Sequence, residues 1–145
     1  MRLIRKEGMP AIVEPYDKDP LSLGAVYLGP PNYHILVDKT SICLSTDDHV
    51  LHSRPSVNVL FESAARSFGA KATCLVLSGS NEDGAEGAAV IARRGGQVLI
   101  QTPETSSAST MPQAALDAVP KAKAIALNEI SDFLRSKAFG AGFSQ

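Results

Sequence analysis

The chain has 145 residues, 44% hydrophobic and 20% charged, with 14 Lys plus Arg against 15 Asp plus Glu for a net charge of -1. That length suits one domain, and the apolar share can fill a core. The balanced charge, with no basic stripe, excludes the electrostatic footprint of a nucleic-acid binder. No apolar run approaches a membrane span, and no apolar h-region follows the basic opening Met1-Arg2-Leu3-Ile4-Arg5-Lys6. The sequence therefore predicts a soluble cytoplasmic protein without membrane insertion. Cys43 and Cys74 form no CxxC pair and fall in apolar runs, which predicts buried thiols in a reducing compartment.

Residues 1–22 read as a polar, proline-bearing segment with one apolar stretch, Ala11-Ile12-Val13. Strands are predicted at Ala25–Leu28, Tyr33–Val37 and Ser41–Leu44. The turns Gly29-Pro30-Pro31-Asn32 and Asp38-Lys39 between them complete a small antiparallel meander. Val57, Leu60, Phe61, Ala64, Ala65 and Phe68 then repeat at helical spacing, with Pro55 suited to the first turn and Gly69 to the stop. A strand follows at 73–77, a small-residue helix from Ala85 to about Arg93, and a strand at Gln97–Ile100. Next come a Thr- and Ser-rich loop from Gln101 to Ser109 and a helix opening at Thr110-Met111-Pro112-Gln113 with capping-box spacing. A last strand is predicted within Ala122–Ala126, and a last helix capped by Asn128 carries Ile130, Phe133 and Leu134. This alternation predicts an α/β fold with three α/β/α layers, a mainly parallel sheet and an antiparallel hairpin insertion. The chain reads as one domain over 1–145, with residues 138–145 a flexible tail.

The segment Leu77-Ser78-Gly79-Ser80-Asn81-Glu82-Asp83-Gly84-Ala85-Glu86-Gly87 links a buried strand to a helix, where open α/β sheets build their sites. Asp83 is the carboxylate best placed to face such a crevice. Asp83-x-x-Glu86 is also a capping-box pattern for the helix that follows, and the two roles are compatible. Gly79 and Gly84 have phosphate-loop spacing, but Ala85-Glu86 replaces the required Lys and Ser or Thr, and Glu82 and Asp83 would repel a phosphate. Ser78 and Ser80 lie at the strand end without a G-x-S-x-G elbow, so they bond the turn backbone or line the pocket. His49-x-x-His52, with Asp47, Asp48 and His34, lacks a completing ligand set and predicts no metal site. Arg54 could hold a carboxylate or bond the nearby chain, and Met111 could edge the crevice.

Several blocks, in order, resemble the catalytic domain of chemotaxis protein-glutamate methylesterases of the CheB type. They are Val26–His34, Ser53-Arg54-Pro55-Ser56-Val57-Asn58-Val59-Leu60-Phe61-Glu62-Ser63-Ala64-Ala65, Leu77–Gly87, Gln101–Thr105 and Met111-Pro112-Gln113-Ala114-Ala115. The likeness runs from about residue 13 to 134 and is strongest to the small stand-alone branch without a receiver domain. It implies an α/β hydrolase that removes methyl esters from glutamates on methyl-accepting chemoreceptors and deamidates glutamines, without a cofactor. It also implies a Ser-His-Asp triad whose Asp falls on Asp83. Ser80 stands where receiver-linked members place a Met whose backbone N–H helps bind the oxyanion.

The family's Ser and His precede the hairpin, in its first βαβ portion, and no position here carries them. No glycine-flanked Ser and no His occurs before His34. The resemblance thus implies an incomplete domain, inactive alone, because Asp83 has no partner to orient. It also implies that the strand at 73–77 lacks its neighbour. An uncovered edge of that kind invites pairing with another chain, including self-association. The alternative is a non-catalytic methylesterase-like binding or scaffold module.

Overall fold

The computed structural model describes residues 2–4 and 10–138. Three short strands open it: β1 (Arg2–Ile4), β2 (Ala11–Glu14) and β3 (Ala25–Tyr27). β1 runs antiparallel to β2, and β2 parallel to β3. Here the structure corrects the expected meander. The apolar stretch at 11–13 is a strand, and it takes β3 as its partner. Only β4 (His34–Val37) and β5 (Ile42–Ser45) form the antiparallel hairpin. Proximity in sequence favoured the hairpin neighbour, but the parallel pairing across the Pro20 segment prevails. Residues 18–21 bond instead along β5, with Lys18 N–H donating to the Ile42 carbonyl at 2.8 Å.

Helix α1 (Val57–Phe68) has the predicted apolar period. It starts on Ser56, whose hydroxyl accepts the Val59 N–H, and stops on Gly69 in the left-handed region at φ 54°. Pro55 lies one residue before the cap, outside the helix. Phe61 and Ala65 face the core, whereas Phe68 at the C-terminal end is exposed. Asn58 and Ser63 are buried polar residues on the same helix. Ser63 accepts the Val37 N–H and Ser67 donates to the Val37 carbonyl, which fastens α1 to the end of β4.

The second half is a βαβαβ unit: β6 (Thr73–Val76), α2 (Ala85–Arg93), β7 (Gln97–Gln101), α3 (Thr110–Ala118) and β8 (Lys123–Ile125). The strands are parallel in the order β6-β7-β8. Cys74, Val76, Val98 and Ile100 point to one face and pack with Phe61, Ala65, Ala88, Ile91 and Ala115. On the other face Leu99 and Ile125 pack with Ile130 and Phe133 of α4 (Leu127–Ala138). This period-two division gives the three layers.

Three boundary readings are corrected. Asn128 lies inside α4, whose first turn is closed by Glu129 accepting the Ala126 N–H. Thr110 and Gln113 do not form a capping box: the Gln113 carboxamide donates to Asp117 one turn on. The strand at 73–77 is not buried on both faces throughout, for Leu75 is half-buried and Leu77 is exposed. β6 is the outer strand of its sheet. Cys74 is buried as expected, but Cys43 is only half-buried and accepts a hydrogen bond from the Lys18 ammonium at 3.3 Å. The expected flexible tail falls almost wholly on residues 139–145, outside the described ones.

Candidate active site

The loop from Leu77 to Gly84 leaves the carboxyl end of β6 and delivers Asp83 to the start of α1. Asp83 is 2% exposed. Its Oδ1 accepts from the Ser56 hydroxyl at 2.8 Å and the Asn58 N–H at 3.0 Å. Its Oδ2 accepts from the Val57 N–H at 2.6 Å. A helix start leaves its first N–H groups without intrahelical partners and carries the positive end of the helix dipole. The carboxylate satisfies two of those groups in α1. The local rule therefore fails here: Asp83 does not cap α2, whose N-cap Gly84 has no side chain of its own to do so. It caps the helix that begins 26 residues earlier in the chain.

His34 completes this cluster. It is 1% exposed, its Nδ1 accepts the Ser56 N–H at 3.1 Å, and its Nε2 lies 2.8 Å from the Asp48 carbonyl. Accepting at Nδ1 places the proton on Nε2, which donates to Asp48. Every N–H from Ser56 to Val59 then has a partner: His34, Asp83 twice, and the Ser56 hydroxyl. The imidazole bonds to backbone groups through both nitrogens.

The other end of the loop is bound to a different element. Ser78 N–H donates to Gln101 Oε1 at 3.0 Å, and the Gln101 amide donates to the Thr105 carbonyl at 3.0 Å. Ser78 Oγ accepts the Ala108 N–H at 2.9 Å and lies 3.1 Å from Ser107 Oγ. Gly79 exchanges backbone bonds with Ala108 and Met111. A Cβ on Gly79 would stand 2.6 Å from Met111 Cε, so glycine lets Met111 close over the turn. Ser80 is exposed.

Arg54 directs Nη1 to the carbonyls of Thr46 and Asp47 at 3.0 and 3.2 Å, which is the chain-bonding alternative, and its Nε is buried without a partner. Asn81 ties the middle of the loop to Ser53 and accepts the Asp83 N–H. The structure thus brings Asp83 to Ser56, Val57 and Asn58, and His34 to the Ser56 N–H. It sets Ser78 and Met111 together at the far end and gives Arg54 to the 46–47 backbone. His52 sits with Leu51 on a two-residue turn closed by reciprocal Val50–Ser53 bonds, and His49 precedes that turn. Among the described residues no group of three or more His, Cys, Asp or Glu could hold a metal ion.

Asn58, Ser56 and Gln101 escaped the sequence reading as site residues. The signal available was a polar residue inside an apolar period, as with Asn58 beside Val57, Leu60 and Phe61. A cavity of about 620 Å3 lies away from this cluster, between Glu14, Pro15, Tyr16, Asp17, Pro30, Tyr33 and Leu44. Asp83 does not line it. The bonding at Asp83 therefore carries more weight than cavity size in placing the site.

Residues 1–134 match the family model described as CheB methylesterase. The chain is 35% identical over 136 residues to a putative protein-glutamate methylesterase/protein-glutamine glutaminase of Leptospira interrogans, covering 92% of this chain and 70% of that one. It is 35% identical over 130 residues to protein-glutamate methylesterase/protein-glutamine glutaminase 2 of Caulobacter vibrioides, covering 86% of this chain and 38% of that one. The fold superposes on the crystal structure of the Thermotoga maritima CheB methylesterase catalytic domain with a TM-score of 0.79 at 25% identity. That match covers 83% of this chain and 66% of the other. The chain thus spans from about two fifths to 70% of these proteins. No described helix is long and apolar enough to cross a membrane.

Proposed function

The chain belongs to the CheB methylesterase family, and on that premise we propose that it carries the orienting acid of a protein-glutamate methylesterase/glutamine deamidase acting on methylated chemoreceptors. The observation that carries this reading is the bonding of Asp83. Oδ1 takes two donors and Oδ2 takes one, which leaves Oδ2 with acceptor capacity for the ring N–H of a base. An orienting carboxylate needs that arrangement: held rigidly by its own donors, with one lone pair left over.

The reaction is acyl transfer from a glutamate methyl ester to water. Among the described residues, the buried histidine and the serine at the strand end are committed elsewhere. Both His34 nitrogens face backbone groups, and Ser78 is bonded into the 107–108 loop. This chain by itself is therefore proposed to be inactive. Methanol release from a methylated receptor fragment tests both parts. The chain alone is expected to release none. A fusion to the segment of the Leptospira relative that this chain does not span is expected to release methanol. Asp83→Asn in that fusion should lower the rate on the order of 10^3 to 10^4-fold. Turnover by the chain alone overturns the first part, and a fusion indifferent to Asp83→Asn overturns the second.

The same bonding also favours a second reading, a non-catalytic binding module of the family. Capping α1 stabilises the fold whether or not a base is present. A fusion that binds the receptor fragment but releases no methanol would support it.

A further inference from the structure

Asp83 and Asn58 cap each other's helices. Asp83, just before α2, accepts the Val57 and Asn58 N–H groups that open α1. Asn58, in the first turn of α1, returns its Oδ1 to the Gly84 N–H at 2.9 Å and the Gly87 N–H at 2.8 Å, which open α2. Each side chain supplies what the other helix lacks. Gly84 has no side chain with which to cap α2. Ser56 uses its hydroxyl oxygen to accept from Val59, leaving Val57 and Asn58 to Asp83. Gly87 permits the approach, because a Cβ there would stand 2.7 Å from Phe61 Cβ and 3.1 Å from Asn58 Cα.

The residue after Asp83 is thus anchored to α1 by Asn58, and Asp83 itself reaches back to α1 from that anchor. Hydrogen bonds of 2.6 to 3.0 Å tolerate little movement of the Gly84 backbone before they lengthen and weaken. We propose that Asn58 is a positioning residue for the Asp83 carboxylate, holding it at the α1 start through this reciprocal cap. The inference deepens the reading in which Asp83 orients a base, and rests on it. Asparagine provides the acceptor for α2 without setting a second negative charge beside Asp83.

A purely local role makes a different prediction. If Asn58 only caps α2, losing its carboxamide frees Gly84 and Gly87 and nothing else. The Val57 N–H bonds to Asp83 and not to the Asn58 side chain, so it reports whether the carboxylate has moved. Native-state amide exchange on the full chain reads it without needing turnover. Asn58→Ala should speed exchange at Val57 about tenfold beyond any change in global unfolding, together with Gly84 and Gly87. Unchanged Val57 protection in Asn58→Ala, with Gly84 and Gly87 exposed, overturns the proposal. Should Asn58→Ala not fold, Asn58→Ser, whose oxygen is drawn back from both glycines, carries the same comparison with the same two outcomes. A fusion without esterase activity but with coupled Val57 exchange would sink the catalytic reading of Asp83 and leave the coupling standing.

Discussion

The two ends of one loop are held in opposite ways. At one end Asp83 and Gly84 are buried, and the bonds of Asn81 to Gly84 run to Ser53 and the first turn of α1. From Leu77 to Ser80 the chain is largely open, with Leu77 44% exposed, and its partners are Gln101 and the loop beyond β7. A carboxylate fixed by helix starts keeps its direction, because moving it leaves several buried donors unpaired at once. A turn held by neighbouring loops can adjust with them. The acid end of this site is thus set by the packing of α1 on α2, and the opposite wall by the loops at the sheet's edge.

Substitutions at the two ends should therefore differ in size. Asp83→Ala leaves the Val57 and Asn58 N–H groups and the Ser56 hydroxyl without their acceptor. It should cost about 3 kcal/mol in urea unfolding. Gly87→Ala forces a methyl against Phe61 and the α1 backbone and should cost about 2 kcal/mol by the same measurement. Gln101→Ala, at the open end, removes one acceptor and one donor from the loop contacts and should cost about 1 kcal/mol. A Gln101 variant as damaging as Asp83→Ala would erase the distinction between the two ends.

Two weaker effects sharpen it. Burial pushes the Cys74 thiol on β6 up to about 11 from 9.0. The folded state thus holds its proton where the unfolded chain has begun to lose it. The stabilising difference is complete below pH 9 and falls away as pH rises towards 11. Cys74→Ser should flatten that alkaline decline in stability, and at pH 8 a thiol reagent should modify Cys43 well before Cys74. Ser80→Ala, on the exposed side of the turn, should change stability by less than about 0.5 kcal/mol.

Much of the chain from α1 onward was legible in sequence because its signals are local. The period of Val57, Leu60, Phe61 and Ala65 gave α1, and small residues between Gly84 and Gly95 gave α2. Partnerships across the chain were not legible. Ala25–Tyr27 sits beside another apolar strand in sequence, yet it bonds to β2. Asp83 has Glu86 at capping-box distance, yet donors 25 to 27 residues away hold it. Arg54 fits either a carboxylate or the nearby chain by sequence, and the carbonyls of Thr46 and Asp47 take it. In each case local spacing offers a plausible partner, and tertiary packing supplies a better one.

The central claim is that Asp83 faces the start of α1. Amide NMR spectra of the parent chain and Asp83→Asn test it most directly, since Val57 and Asn58 are remote from residue 83 in sequence. Amide protons of Val57 and Asn58 should lie downfield in the parent, shifted by the carboxylate, and move upfield in the variant, while β7 amides hold still. Val57 and Asn58 resonances indifferent to the substitution would contradict it.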